Sequence, residues 1–175
     1  MSGKLCTLRI ADRRGLRRCR DASAADGGLS HLAGRLPGTH AVGLSGLHTV
    51  IAEKYQAMVM LEQANSRMKD FFDLAVIAQR TELDGATLAA AIAATFTRRQ
   101  TALPTERPLA LTQQFSEDTA KLRQWQAFLN KNRIKAASLG DTVALLDDLL
   151  WPPTQVAAAG TQATATWRPD ALRWV

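Results

Sequence analysis

From Thr49 onward the chain sets apolar stripes at helical spacing between short polar breaks. Val50, Ile51, Tyr55, Met58 and Leu61 recur with a helical period until Gln63-Ala-Asn-Ser66 interrupts them. A second helix is predicted over about 67–80, with Phe71, Leu74, Ala75 and Ile77 as its inner face and Asn65 or Ser66 as its cap. Asp84 can cap a third, whose face is Leu88, Ile92 and Phe96. Leu103 to Pro108 is bounded by prolines and reads as a loop. Ser116 is expected to start a fourth helix, with Glu117 and Asp118 in its first turn, where the backbone dipole favours anions; Trp125, Phe128 and Leu129 form its apolar side. Ser138 with Asp141 opens a fifth, carrying Val143, Leu146, Leu149 and Leu150, and Pro152-Pro153 should stop it because proline lacks an N–H. Residues 154–175 are rich in Ala, Thr and Gln without a period and read as a flexible tail. No segment after residue 50 alternates convincingly as a strand. The expected fold class is mainly α.

Composition adds bounds. The 175 residues suffice for one ordinary domain with a real core but hardly for two. Cys6 and Cys19 match no paired metal or redox spacing, which points to a reducing, cytoplasmic setting. The longest apolar candidate, Leu88 to Phe96, is mostly alanine and too short to span a membrane, and arginines interrupt the first residues where a secretion signal would need an apolar run. No membrane partner is expected. The net charge of +6 is unevenly placed: residues 1–50 hold eight Lys and Arg against three acids, whereas the rest is nearly balanced. All three histidines fall in that first part and all four tryptophans outside it. The chain has two unlike parts.

Candidate chemistry is concentrated in Glu53-Lys54 and in Ser66-Arg67-Met68-Lys69-Asp70-Phe71-Phe72-Asp73. A helix places Asp70 and Asp73 on one side, with Arg67 three residues before Asp70. Lys54 could reach the same place if the first two helices pack as a hairpin. A lysine held beside carboxylates suits a site that must hold phosphates and neutralise their charge. The plainer alternative is a solvated face, in which Lys69 and Asp73 make an ordinary i,i+4 pair.

The stretch T-V-I-A-E-K-Y-Q-A-M-V from Thr49 to Val59, followed by N-S-R-M-K-D-F-F-D-L from Asn65 to Leu74, resembles the third and fourth motifs of nucleotidyltransferases of the AbiEii/AbiGii abortive-infection toxin family. D-G-A-T-L-A-A-A-I, the Q-W-Q-A-F-L helix and the L-L-W-P-P ending are similar to members of that family as well, so the resemblance covers about residues 49–153. It implies a nucleotidyltransferase-like α+β toxin, of which this region is the helical C-terminal domain. It also implies transfer of a nucleotide from an NTP with Mg²⁺, tRNA as acceptor, and a cognate antitoxin as partner. By position, Lys54 would contact nucleotide phosphates, Asp70 would support the catalytic centre, and Asp73 and Arg67 would assist, Arg67 on the nucleotide side.

The departure from that pattern is upstream. Such enzymes carry a glycine-rich turn and, about a dozen residues later, an acidic pair that binds Mg²⁺. Before Thr49, Asp12 stands among arginines and Gly27-Gly28 is followed by no D-x-D. The expectation is therefore a helical domain whose α/β catalytic core is missing, inactive alone and binding neither Mg²⁺ nor NTP. Residues 1–48 themselves suggest a cause. With permitted codons, Arg13 to Ser23 read one base later gives D-V-G-F-G-D-A-V-T-P, close to a strand and turn of the family just before the linker to its helical domain, and Gly43 to His48 gives G-Y-P-V-Y, which is how the family leads into T-V-I-A-E-K. On this reading residues 11–48 are translated out of frame and are poorly ordered, with the true frame resuming at Thr49. Other readings stay open: the Arg13–Arg20 cluster as a nucleic-acid arm in a small basic helical module that binds RNA or a protein partner, a zinc site from Cys6, Cys19, His31 and His40, and Trp167 and Trp174 either covering a helix end or stacking on bases.

Overall fold

The computed structural model describes residues 42–175, with side chains from Gly46 onward. Six α-helices follow in order: α1 (Val42–Leu61), α2 (Met68–Arg80), α3 (Gly85–Arg98), α4 (Gln113–Glu117), α5 (Thr119–Asn132) and α6 (Leu139–Ala159). Three short strands, β1 (Leu83–Asp84), β2 (Thr166–Arg168) and β3 (Arg173–Trp174), pair antiparallel in that order. The fold is mainly α, as expected.

The apolar stripes meet in one core. Ile51, Tyr55 and Met58 of α1 pack with Leu88, Ile92 and Phe96 of α3, and α6 brings Val143, Leu146, Leu149 and Leu150 against α2 and α3. Two aromatic pairs lock the layers, Tyr55 with Phe96 at 5.6 Å and Phe71 stacked on Phe115 at 5.3 Å between ring centres. Val50 and Leu61 depart from their expected place: they lie on the outer side of α1, Val50 at 42% exposure. At about 100° per residue both fall roughly 80–100° from Ile51 on the same flank of α1, off the core face.

Helix ends follow local chemistry where that chemistry is local. Asp84 caps α3 through Thr87 N at 2.7 Å, and Ser138 caps α6 through Asp141 N at 3.1 Å, both as expected. Ser116 starts no helix; it is buried in α4, which Thr112 caps, and Asp118 alone separates α4 from α5 and caps the latter through Lys121 N. Asn65 is not the cap of α2 either. Its Oδ1 accepts from Arg67 N at 2.9 Å, a turn that sets the chain up one residue before the helix, and Arg67 takes the cap position without a side-chain bond.

The prolines do not end α6. The helix runs through Pro152 and Pro153 to Ala159 and closes at Gly160, whose left-handed φ of 64° suits glycine. Pro152 cannot donate to the carbonyl four residues earlier, that of Asp148, and the indole Nε1 of Trp174 supplies the missing donor at 3.0 Å. Thr154 binds the Leu150 carbonyl at 2.6 Å and the Tyr55 phenol at 3.2 Å, tying α6 to α1, while burial pushes that phenol up to about 12. The segment expected as a flexible tail is thus structured: β2 and β3 join β1, and Trp167 is fully buried with its Nε1 on the Ala78 carbonyl at the end of α2. Both tail tryptophans serve helix carbonyls, which settles their alternatives in favour of covering helix backbone. Gly85 is required where this sheet meets α3, since a Cβ there would lie 2.5 Å from the Ala165 carbonyl oxygen.

Of the segment 11–48 read as out of frame, residues 11–41 lie outside the described residues, as do residues 1–10, and with them Cys6, Cys19, His31, His40 and the Arg13–Arg20 cluster. The boundary placed at Thr49 falls inside α1, because Val42–His48 are already helical and His48 is buried.

Candidate functional site

The motif residues lie on two helices that barely touch through their apolar faces: α1 packs mainly on α3, and α2 on α6. What sets their relation is the turn between them. Lys121 of α5, only 3% exposed, extends its ammonium to the carbonyls of Gln63 at 2.6 Å and Asn65 at 2.8 Å, with the Phe115 ring 5.2 Å away. A buried lysine with two carbonyl partners holds that turn in place, and with it the starting point of α2.

Across the gap, Lys54 Nζ donates to Asp70 Oδ1 at 2.5 Å and to Asp73 Oδ2 at 2.9 Å. Lys69 also reaches Asp73 at 2.6 Å, and Arg67 Nε stands 3.3 Å from the second oxygen of Asp70. The structure therefore brings together all the residues singled out from the sequence: Lys54, Arg67, Asp70 and Asp73. Burial would drive Lys54 toward its neutral form, but the hydrogen bonds and charges of Asp70 and Asp73 outweigh it and raise its pKa. Burial likewise disfavours the Asp73 carboxylate, and the bonds from Lys69 and Lys54 with their charges overcome it and lower its pKa. An ammonium has three donors, and two are spent on the aspartates. One N–H of Lys54 is left for a further acceptor.

Lys54 also lines a shallow depression of about 250 Å³, together with Val50, Glu53, Arg67, Asp70 and Arg99. On its far side Glu53 accepts from Arg98 at 2.7 Å, and Gln56 accepts from Arg99 at 2.9 Å and donates to Thr101. Arg98 and Arg99 were not singled out from the sequence. They end α3, and only the packing of α3 along α1 brings them here; the doublet in T-F-T-R-R-Q carries no local sign of it. The neighbourhood holds five cations (Lys54, Arg67, Lys69, Arg98, Arg99) against three carboxylates (Glu53, Asp70, Asp73), so it favours an anion. Phosphate oxygens fit these donors. Mg²⁺ does not fit: the Asp70 and Asp73 oxygens already face Lys54, Arg67 and Lys69, and no group of three or more His, Cys, Asp or Glu able to hold a metal occurs among the described residues. A larger open groove of about 740 Å³ between α4, α5 and α6, lined by Leu111, Leu122, Val143 and Asp147 among others, contains none of these motif residues. No helix among the described residues is long and apolar enough to cross a membrane.

Comparison with known proteins agrees with the motifs. No curated protein and no solved structure matches the chain. A family model described as "Nucleotidyl transferase AbiEii toxin, Type IV TA system" matches residues 30–148, beginning ahead of Thr49 and taking in Lys54, Arg67, Asp70 and Asp73. The chain belongs to the AbiEii nucleotidyl transferase toxin family of type IV toxin–antitoxin systems.

Proposed function

We propose that residues 42–175 form the helical portion of a nucleotidyl transferase toxin and supply its nucleotide side. Lys54 contacts the phosphates of an NTP, Asp70 orients Lys54 and supports the catalytic centre, and Asp73 and Arg67 assist, with Arg67 and Arg99 flanking the phosphates. The observation that carries this reading is Lys54 fixed between Asp70 and Asp73 from a different helix, with one donor left, and lining a depression rimmed by arginines. A preoriented cation neutralises phosphoryl charge without reorganising, which is most of what such catalysis asks of protein groups. The acceptor is tRNA and the partner an antitoxin, both on the strength of the family.

The chain as it stands transfers no nucleotide. A transferase of this kind needs carboxylates that hold Mg²⁺ against the triphosphate. Asp70 and Asp73 are committed to cations, and no glycine-rich turn followed by D-x-D precedes Thr49. The test is incubation with tRNA, Mg²⁺ and each labelled NTP, beside a fusion of residues 42–175 to an α/β core that carries the glycine-rich turn and D-x-D. Incorporation is expected from the second protein only, falling by two orders of magnitude or more in its Lys54→Ala and Asp70→Ala variants. Incorporation by the present chain would overturn the inactive-fragment reading; indifference to both substitutions would remove the assigned roles.

A further inference from the structure

Apart from Lys121, buried on two carbonyls, and Arg173, exposed and without an ion pair in β3, the cations among the described residues divide into two sets. Lys54, Arg67, Lys69, Arg98, Arg99, Arg107 and Arg168 all face carboxylates. Arg80, Arg123, Lys131, Arg133 and Lys135 are exposed, and none makes an ion pair. The last four belong to α5 and the loop after it, and no Asp or Glu occurs between Asp118 and Asp141. Unpaired cations with no interleaved acids cost the folded chain self-repulsion, which is relieved when a polyanion docks.

The second observation is a small cavity of about 150 Å³ where this strip meets the end of α2. Arg80 and Lys135 line it with Gln79; Phe72 and Trp125 contribute to its wall, and Ala136 and Ala137 complete it. Along the outer side of α5, Gln126 and Asn130 follow Arg123 at helical spacing and are exposed, joined to each other by a 2.9 Å hydrogen bond. Arg133 closes α5 in the left-handed region at φ 54°, a place glycine would fill with less strain. Cations and amides dominate the strip, with Leu122 the one large apolar side chain exposed in α5. A protein interface would need a desolvated apolar or aromatic centre. Phosphate contacts need none.

We propose that the α5 face, the α5–α6 loop and the Arg80 end of α2 form a docking surface for the phosphate backbone of RNA. Its position fits an acceptor strand. Asp73 and Arg80 are seven residues apart on α2, about 10 Å along the helix axis at ~1.5 Å per residue. Roughly three stacked nucleotides at ~3.4 Å each cover that distance. RNA held on the strip therefore has its next nucleotides within reach of the Lys54 cluster. The choice of RNA over another polyanion rests on the nucleotide-transfer reading, but binding is measured without transfer, so the two fail separately.

The experiment is fluorescence anisotropy on the full chain with a labelled RNA hairpin carrying a short single-stranded 3′ end, from 50 to 200 mM salt. Three proteins are compared: the parent, Arg123→Gln/Lys131→Gln/Arg133→Gln/Lys135→Gln, and Arg13→Gln/Arg14→Gln/Arg17→Gln/Arg18→Gln as a control for the basic N-terminal segment. Four phosphate contacts correspond to a salt slope of about 3 to 4, or roughly a 50- to 150-fold loss of affinity over that range. The first variant is expected to lose that slope and to bind at least tenfold more weakly at low salt, with a thermal transition at or above the parent's. The N-terminal variant is expected to keep it. Binding by the first variant equal to the parent overturns the proposal, as does loss of the slope in the N-terminal variant alone. An acidic protein or anionic vesicles displacing the RNA at lower charge concentration than unlabelled RNA would also overturn it.

Discussion

Replacing Lys121 by methionine keeps most of the apolar stem and removes the ammonium, which isolates the role of the turn it holds. In the folded chain that ammonium makes two charge-assisted bonds, to Gln63 O at 2.6 Å and Asn65 O at 2.8 Å, at 3% exposure. Each such bond contributes about 1.5–3 kcal/mol net. Relief from burying the charge offsets part of the loss, so Lys121→Met is expected to destabilise the chain by about 2–4 kcal/mol. Urea denaturation should show a lower midpoint with the slope unchanged, and the thermal midpoint should fall by roughly 4–16 °C at about 2–4 °C per kcal/mol. The loss should also couple to the site. Because the turn sets where α2 begins relative to α1, Lys54→Met should cost less in the Lys121→Met background than in the parent. A change below about 0.5 kcal/mol would refute the reasoning, since it would mean that water replaces the lysine at both carbonyls.

The remaining expectations are as follows. Lys54 has its pKa raised in the folded state, so its stabilisation is complete below the unfolded lysine value and disappears as pH rises through the folded one; Asp73 is lowered, so its share is complete above the unfolded aspartate value and disappears as pH falls through the folded one. The stability difference between the parent and Lys54→Met should therefore be flat from about pH 5 to 9 and shrink at both extremes, and a difference that instead changes across neutral pH would contradict the assignment. Trp174→Phe should cost about 1 kcal/mol by leaving the Asp148 carbonyl without a donor, and Pro152→Ala, which restores an N–H to it, should remove most of that cost; additive losses in the double variant would deny the link.

Much of this molecule was legible because its signals are short in range. Phe71 and Leu74, or Leu88, Ile92 and Phe96, declare a buried face within one helix, and Asp84 and Ser138 cap helices using groups three residues away. The Lys54–Asp70–Asp73 grouping was also readable, since three-residue spacing on α2 and a short turn to α1 bring the charges near one another. What escaped depended on distant partners. Pro152 reads as a helix stop unless Trp174 is known to take over the orphaned carbonyl, and β2 is invisible in a segment of Ala and Thr until Trp167 finds the end of α2. Lys121 looks like an ordinary exposed helix lysine, and its burial follows from carbonyls more than fifty residues earlier. The α4–α5 junction was misplaced because a single residue, Asp118, both ends one helix and caps the next.

The central claim is that the Lys54 cluster receives nucleotide phosphates, contrary to the expectation from the missing catalytic core that the chain alone binds no NTP, and titration of each NTP into the chain tests it most directly. Calorimetry should detect binding of at least one NTP, weakened tenfold or more by Lys54→Ala and by a smaller factor in Arg99→Gln, because the lysine is fixed by two carboxylates while Arg99 stands at the rim. Affinity unchanged by Lys54→Ala, in a variant that keeps the parent's helical signal, would contradict it and leave the cluster a structural ion pair.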